Sequence, residues 1–318
     1  MPDGTPIRDA PQRSPAVRAF SFADLAVLCG LPPLFALAWV VPERLWPRVC
    51  RVLAPLAASM LAAELRPGLR AAQRPLRLGG AVATADAVLA ELGAQRIHAL
   101  LQLLRDYRPG GWRPDLRSVG FEHVEAARRR GRGAVLWVAK SVYGDLVAKV
   151  AFHRAGFAVS HLSRASHGFS ASRFGRRYLN RVQTAAEDRY LGERVSLSRD
   201  GATAALELLA ARLRDTGIVT VTANDQARRP LAVPFLGGRL ALAPGAPLLA
   251  HRTGAALLPA FAFRDEAGAL TVTVEPPIAV ACDAERNTAV ADAAREYAAR
   301  LEPYALEFPG QWLGWSAS

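Results

Sequence analysis

Polar and apolar positions divide the chain into an irregular N-terminal third and a regular remainder. Residues 1–20 carry four prolines among arginines with no apolar period, and read as a mobile arm. Leu25–Val41 then runs seventeen residues without a charge, bounded by Asp24 and by Glu43-Arg44, and Pro32-Pro33 interrupts it. A spanning helix needs roughly 20 such residues, so the segment predicts shallow membrane insertion, with Trp39 and Trp46 at headgroup level. A tilted or kinked span, a signal peptide with Ala36-Leu37-Ala38 as its cleavage triplet, and a buried core hairpin are the other readings. Residues 47–75 and 80–107 repeat apolar residues every three or four positions and predict two helices, the second ended by Pro109-Gly110-Gly111. The expected divisions are an arm (1–20), a helical region with the membrane-associating segment (21–118) and an α/β domain (119–318).

From Gly133 onward, short apolar runs alternate with helical periods. Strands are expected over 133–139, 157–162, 218–222, 256–263 and 269–275, and helices over 141–155, 171–182, 201–215, 244–253 and 287–301. Gly217 is the expected C-cap of the 201–215 helix, and Arg128–Arg132 reads as a solvated helix end. This alternation predicts an α/β fold with a largely parallel central sheet and helices on both faces. Ligands in such sheets bind past the C-terminal ends of the strands, which points to loops 140–145, 161–170 and 223–240.

Composition narrows the function. With 51% hydrophobic and 21% charged residues the chain can bury a core. Its net charge of +12 favours an anionic partner, such as a membrane surface or a phosphorylated ligand. No nucleic-acid partner is expected, because the arginines are dispersed and no RNP, KH or zinc-finger pattern occurs. The three cysteines form no CxxC pair or Cys/His cluster, so no disulfide framework and no metal site are indicated. Of the 40 basic residues only Lys140 and Lys149 are lysines.

Val219–Pro259, with Asp225-Gln226, the Val233-Pro234-Phe235-Leu236-Gly237-Gly238 turn and the Pro244–Thr253 helix, and Phe308-Pro309-Gly310-Gln311-Trp312 near the end, carry a family resemblance. In this order and spacing they resemble the bacterial lipid A late acyltransferases, the lauroyl/myristoyl transferase branch of the lysophospholipid acyltransferase superfamily. The resemblance implies a histidine base and a carboxylate in a His-x4-Asp/Glu motif after the first core strand, with an acyl thioester as donor. It implies no bound cofactor; acyl-ACP or acyl-CoA is a co-substrate. Here the aligned stretch reads Lys140-Ser141-Val142-Tyr143-Gly144-Asp145, so the acid is present and the histidine is a lysine.

Lysine is a poor direct substitute: its ordinary pKa is about 10.4 and a neighbouring carboxylate raises it further. Lys140 therefore has three readings: a structural ion pair with Asp145, an anion or oxyanion holder, or a desolvated base or nucleophile. A substitute base is sought in His161, near the end of the next expected strand, or in His167 six residues on in the loop, since a parallel neighbour strand would bring either close to residue 140. Lys140, Asp145 and His161 form the candidate catalytic set. Candidate substrate contacts are Ser141, Tyr143, Arg164, His167, Asp225, Gln226, Gly237, Gly238 and Arg239, with Arg228 and Arg229 nearby. Against these stand turn chemistry for Asp225 and Gly237-Gly238 and plain surface for the arginines. The family's basic residues after the tryptophan are missing from Leu313–Ser318, which argues against conventional lipid A recognition. The expectation is acyl transfer to a lipid or specialised-metabolite acceptor at the cytoplasmic face of a bacterial inner membrane. Its rival is a catalytically silent homologue that binds a lipid, acyl chain or carrier.

Overall fold

The computed structural model describes residues 18–164, 166–197, 202–227, 229–282 and 285–315. Most of the expected arm (residues 1–17), Arg228 and the terminal Ser316–Ser318 lie outside these. Arg18 and Ala19 carbonyls accept from the Arg173 and Phe174 N–H groups at 3.0 Å each, so the end of the expected arm is docked. Helix α1 (Phe22–Val40) opens on a capping box between Ser21 and Asp24. It runs unbroken through Pro32-Pro33, contrary to the interruption expected there; the prolines withdraw only the N–H groups that would reach the Leu28 and Cys29 carbonyls. The helix is long and apolar enough to cross a membrane, and only 11% of its apolar window is buried in the protein, so it is not a core hairpin.

Helices α2 (Trp46–Ala71) and α3 (Ala85–Arg105) flank a short hairpin, β1 (Arg77–Leu78) and β2 (Ala81–Val82), where helix was expected from residue 80. They touch at Gly93, where a Cβ would lie 2.6 Å from the Ala54 carbonyl, so only glycine allows this approach. Next come β3 (Leu116–Val119), α4 (Glu122–Arg129), β4 (Ala134–Val138), α5 (Leu146–Arg154) and β5 (Val159–Arg164). A π-helical turn, Gly175–Leu179, leads into α6 (Asn180–Asp188), followed by β6 (Glu193–Leu197), α7 (Ala202–Arg214) and β7 (Ile218–Thr222). The hairpin β8 (Leu231–Phe235) and β9 (Gly238–Leu242), helix α8 (Gly245–Thr253), strands β10 (Ala256–Arg264) and β11 (Leu270–Val274), and helix α9 (Arg286–Glu307) complete the chain.

Seven strands form one sheet in the order β3-β11-β10-β4-β7-β5-β6. The five from β10 to β6 are parallel, while β11 runs antiparallel to β10 and carries β3 with it. β4 is buried on both faces. Val135 and Trp137 pack with α7, α8 and α9, and Leu136 and Val138 pack with α5 and the C-terminal half of α3. The expected α/β architecture with helices on both faces is therefore present.

Several boundaries differ for identifiable reasons. α5 begins at Leu146 because residues 139–144 are used in a tight loop. α7 ends without Gly217 as its cap; Thr216 takes the positive φ of 61° instead. α9 continues past residue 301 and through Pro303 to Glu307, carried by Leu301 and Ala305, which stay in the core.

Candidate active site

The loop after β4 is fixed by three neighbours. Ala139 N–H donates to Ala260 O at 2.8 Å, Val142 N–H to Gln311 O at 2.8 Å, and Leu313 N–H to Lys140 O at 2.9 Å. Gln311 in turn uses both amide ends on the Arg264 backbone. The Gln-Trp segment thus acts as a clamp on residues 140–142. Gly144 is required for the loop's closure, since a Cβ there would sit 2.5 Å from Ala139 O.

Two candidate substrate contacts are used up inside this scaffold. Ser141 is buried and donates to Ala262 O at 2.8 Å. Tyr143 is buried between β4 and α3, where its hydroxyl meets Gln95 Oε1 and His98 Nδ1. Burial pushes its hydroxyl pKa far up, and that of His98 down to about 3. Both side chains are spent on holding the loop.

Lys140 is half-buried and lines a cleft of about 20 Å³ with Asn224, Asp225, Leu240, Leu242, Leu301, Trp312 and Gly314. That is room for about one water. Asp145 is not among its walls, and among the described residues no ion pair within 4.0 Å joins it to Lys140, so the structural-pair reading does not hold. Asp225 faces the same cleft with a buried Oδ1 that has no hydrogen-bond partner among the described residues. Asn224 accepts from Gln226 N–H at 3.0 Å, so the Asp-Gln pair sits on an Asx turn. Arg164, at the end of β5, donates to Gln226 O and ties this turn to the next strand.

Gly237, Gly238 and Arg239 lie in the β8–β9 hairpin. Leu236 and Gly237 form its two-residue turn with φ of 51° and 85°. Gly237 approaches the Gln73 side chain, which a Cβ would meet at 2.6 Å, and Arg239 donates to Ala232 O across its own hairpin. The turn reading is the one this geometry carries, and Leu236 there, a non-glycine residue at positive φ, holds about 1–3 kcal/mol of strain.

His161 is not beside residue 140. β7 separates β5 from β4: His161 pairs with Thr220, which pairs with Leu136. Residue 140 lies four positions beyond Leu136, roughly 13 Å along the strand and two strand spacings of ~4.8 Å across. The ring is buried with Nδ1 2.9 Å from Thr220 Oγ1. Burial, and then the charge on Lys149, hold its pKa well below the ordinary histidine value. It has neither the position nor the basicity of a working base.

Asp145 faces a different group. Its carboxylate is 3.9 Å from Lys149 Nζ, and Asp145, His167 and Glu187 bring ligand-type atoms within 4.8 Å of one another. Glu187, fully buried on α6, receives Lys149 Nζ at 3.0 Å, Arg194 at 2.8 Å, His167 Nε2 at 2.9 Å and Gln183 Nε2 at 2.9 Å. Burial alone would raise its pKa, but Lys149, His167 and Arg194 outweigh it and hold the carboxyl well below its ordinary range. For His167 the balance reverses: burial lowers it, and the Glu187 hydrogen bond with the Asp145 charge raises it overall. With Lys149 and Arg194 both on Glu187 Oε2, the group is a poor cation site. A search of the loops past the strand ends misses Glu187, because it lies within α6. The signal that could have found it is Lys149, a charge inside the apolar run Leu146–Phe152 that demands a buried partner.

A parallel sheet with helices on both faces, and its polar groups gathered past the C-terminal ends of β4, β5 and β7, is the architecture of an α/β enzyme. The family model for bacterial lipid A biosynthesis acyltransferase matches residues 110–314, and the chain belongs to that acyltransferase family. Among curated proteins the chain has no match.

Proposed function

We propose that the protein moves an acyl group from an acyl carrier protein or coenzyme A thioester to a hydroxyl of a lipid or specialised-metabolite acceptor. The reaction takes place at the cytoplasmic face of a bacterial inner membrane and uses no bound cofactor. The observation that carries this reading is Asp145, the acid of the family motif, standing at the N-terminus of α5 past the end of β4, inside the span the acyltransferase family model matches. Lys140 takes the anion-holding role. Its amine, with no hydrogen-bond or ion-pair partner among the described residues, faces the cleft that Asp225 lines, where it would meet a phosphate of the donor. The exposed apolar faces of α1 (Phe22, Leu25, Leu28) and α2 (Val52, Leu56, Met60) support membrane contact and a lipid acceptor.

The test is thiol release from acyl-coenzyme A and acyl-carrier thioesters, with mass detection of acylated products, in the presence of bacterial lipid vesicles. Turnover by the parent protein that falls in Lys140→Ala supports the reading. A parent inert with every donor, and awakened by Lys140→His, would instead establish the silent homologue. The 20 Å³ cleft, too small for an acyl chain, is the observation that favours this second reading.

A further inference from the structure

We infer that His167 supplies the proton-accepting nitrogen of the acyl transfer, with Glu187 fixing its tautomer and Asp145 stabilising the imidazolium that forms. This rests on the acyl-transfer reading above and names the group that reading lacks. It places the base on the loop after β5, across the cluster from the motif's acid.

Four observations carry it. First, His167 Nε2 lies 2.9 Å from Glu187 Oε1 and 3.1 Å from Glu187 Oε2, so the neutral ring holds its proton on Nε2, a tautomer assigned from this contact. Nδ1 is then the free lone pair, with no hydrogen-bond partner among the described residues. Second, Glu187 is fully buried and held ionised by Lys149 and Arg194, so it stays an acceptor through the cycle. Third, the chain just beyond His167 is tied to α6. Ser170 N–H donates to Asn180 Oδ1 at 2.9 Å, Asn180 Nδ2 returns to Ser170 O at 2.8 Å, and Gly168 lies so close that a Cβ would meet Asn180 at 2.5 Å. A base works best when the chain that carries it is held in this way. Fourth, the His167 side chain is 20% exposed, whereas His161 and His98 are almost wholly buried.

In the transfer step, His167 Nδ1 takes the proton of the acceptor hydroxyl, and the oxygen attacks the thioester carbonyl carbon. The new C–O bond forms, the tetrahedral intermediate collapses with cleavage of the C–S bond, and the leaving thiolate takes the proton back from the imidazolium. Ester and free thiol are the products, and the imidazole is regenerated.

The groups facing His167 are Asp145 and Lys149 from α5, Glu187 from α6, Arg194 from β6 and His161 from β5, with Arg96 of α3 in electrostatic reach of Asp145. Because the carboxylates favour the imidazolium, the acidic limb of the pH–rate profile is expected above the ordinary histidine value, and Asp145→Asn is expected to move it to lower pH.

The experiment measures thiol release from short-, medium- and long-chain acyl-coenzyme A across the neutral pH range for the parent, His167→Gln, His167→Ala, Asp145→Asn and the exposed-histidine control His153→Gln. The expected result is a fall in kcat of roughly 10²–10⁴-fold in His167→Gln with KM and melting temperature unchanged. Free imidazole should restore part of the His167→Ala rate, Asp145→Asn should displace the acidic limb downward, and His153→Gln should match the parent. Parent-like kcat in His167→Gln, an unmoved limb in Asp145→Asn, or failure of imidazole rescue would each overturn the assignment while leaving acyl transfer standing. A parent that releases no thiol from any donor would sink both.

Discussion

Replacing Lys149 by methionine tests whether the buried charge network exists in the folded protein. Lys149 is 3% exposed and its ammonium sits 3.0 Å from fully buried Glu187. Removing one partner of such a pair costs about 3–5 kcal/mol, because the remaining charge stays buried without compensation. Arg194 still reaches Glu187 Oε2 at 2.8 Å, and methionine fills most of the lysine stem's volume, so the loss belongs at the lower end, about 3 kcal/mol. For a chain of this size that corresponds to a melting-temperature drop of roughly 4–5 °C, within a total stability of about 5–15 kcal/mol. The assay is equilibrium urea unfolding in detergent micelles followed by far-ultraviolet circular dichroism, for the single variant and for Lys149→Met/Glu187→Gln. The double variant should recover part of the loss, because neither member of the pair is then left charged. A single-variant cost below about 1 kcal/mol, the range of exposed pairs, would mean that Lys149 reaches water and that the network as described is wrong.

Three further outcomes follow from the same geometry. Gly144→Ala should lower the melting temperature and activity together, because its Cβ would lie 2.5 Å from the Ala139 carbonyl in the loop that carries Lys140; an unchanged protein would refute that loop. Tyr143→Phe should cost about 1–3 kcal/mol in urea unfolding by leaving buried Gln95 and His98 atoms unpaired, with catalysis otherwise parent-like; a loss of activity at unchanged stability would return Tyr143 to the substrate side. Urea midpoints should fall as the pH drops below the ordinary glutamate value of 4.5. Glu187's folded pKa is depressed, so its stabilisation is complete above the unfolded value and disappears as pH falls through the folded one, and Glu187→Gln should flatten this dependence.

Most of the sheet could be read directly because its strands are buried on both faces. Ala134–Val138 and Ile218–Thr222 stand out as apolar runs with β-branched residues, Ala256–Arg264 as an apolar run and Leu270–Val274 as a β-branched one. The elements that escaped are those whose side chains do not advertise a period. β6, Glu193–Leu197, is an edge strand in which Glu193 and Arg194 face side-chain partners, so its sequence looks like surface. β8 and β9 meet at Leu236-Gly237 with none of the Asn-Gly or Asp-Gly turn chemistry that marks a hairpin, and Pro234 lies within β8. Their pairing is maintained from outside, by Leu236 N–H donating to Glu302 on α9 and by Phe235 against Trp312 at 4.9 Å.

The site was harder to read, and for a physical reason. Sequence spacing places a side chain along an element, but it does not say which face of the sheet a loop residue chooses once regular alternation ends. Lys140 and Asp145 are five positions apart, yet Gly144 turns the chain sharply and the Gln311–Leu313 clamp holds Lys140 toward the hairpin and α9. Asp145 begins α5 and therefore faces that helix's Lys149 and the loop after β5. Proximity in the motif consequently does not become proximity in space, and His167, twenty-two positions downstream, becomes the acid's neighbour. The same argument explains His161. Its position on the strand was foreseeable, but strand order was not, and the interposed β7 with Thr220 gives its ring a hydrogen-bond partner in place of a substrate. What does survive as a sequence signal is the rarity of lysine: both lysines occur within ten residues, one lining the cleft and the other neutralising the buried carboxylate that orients His167.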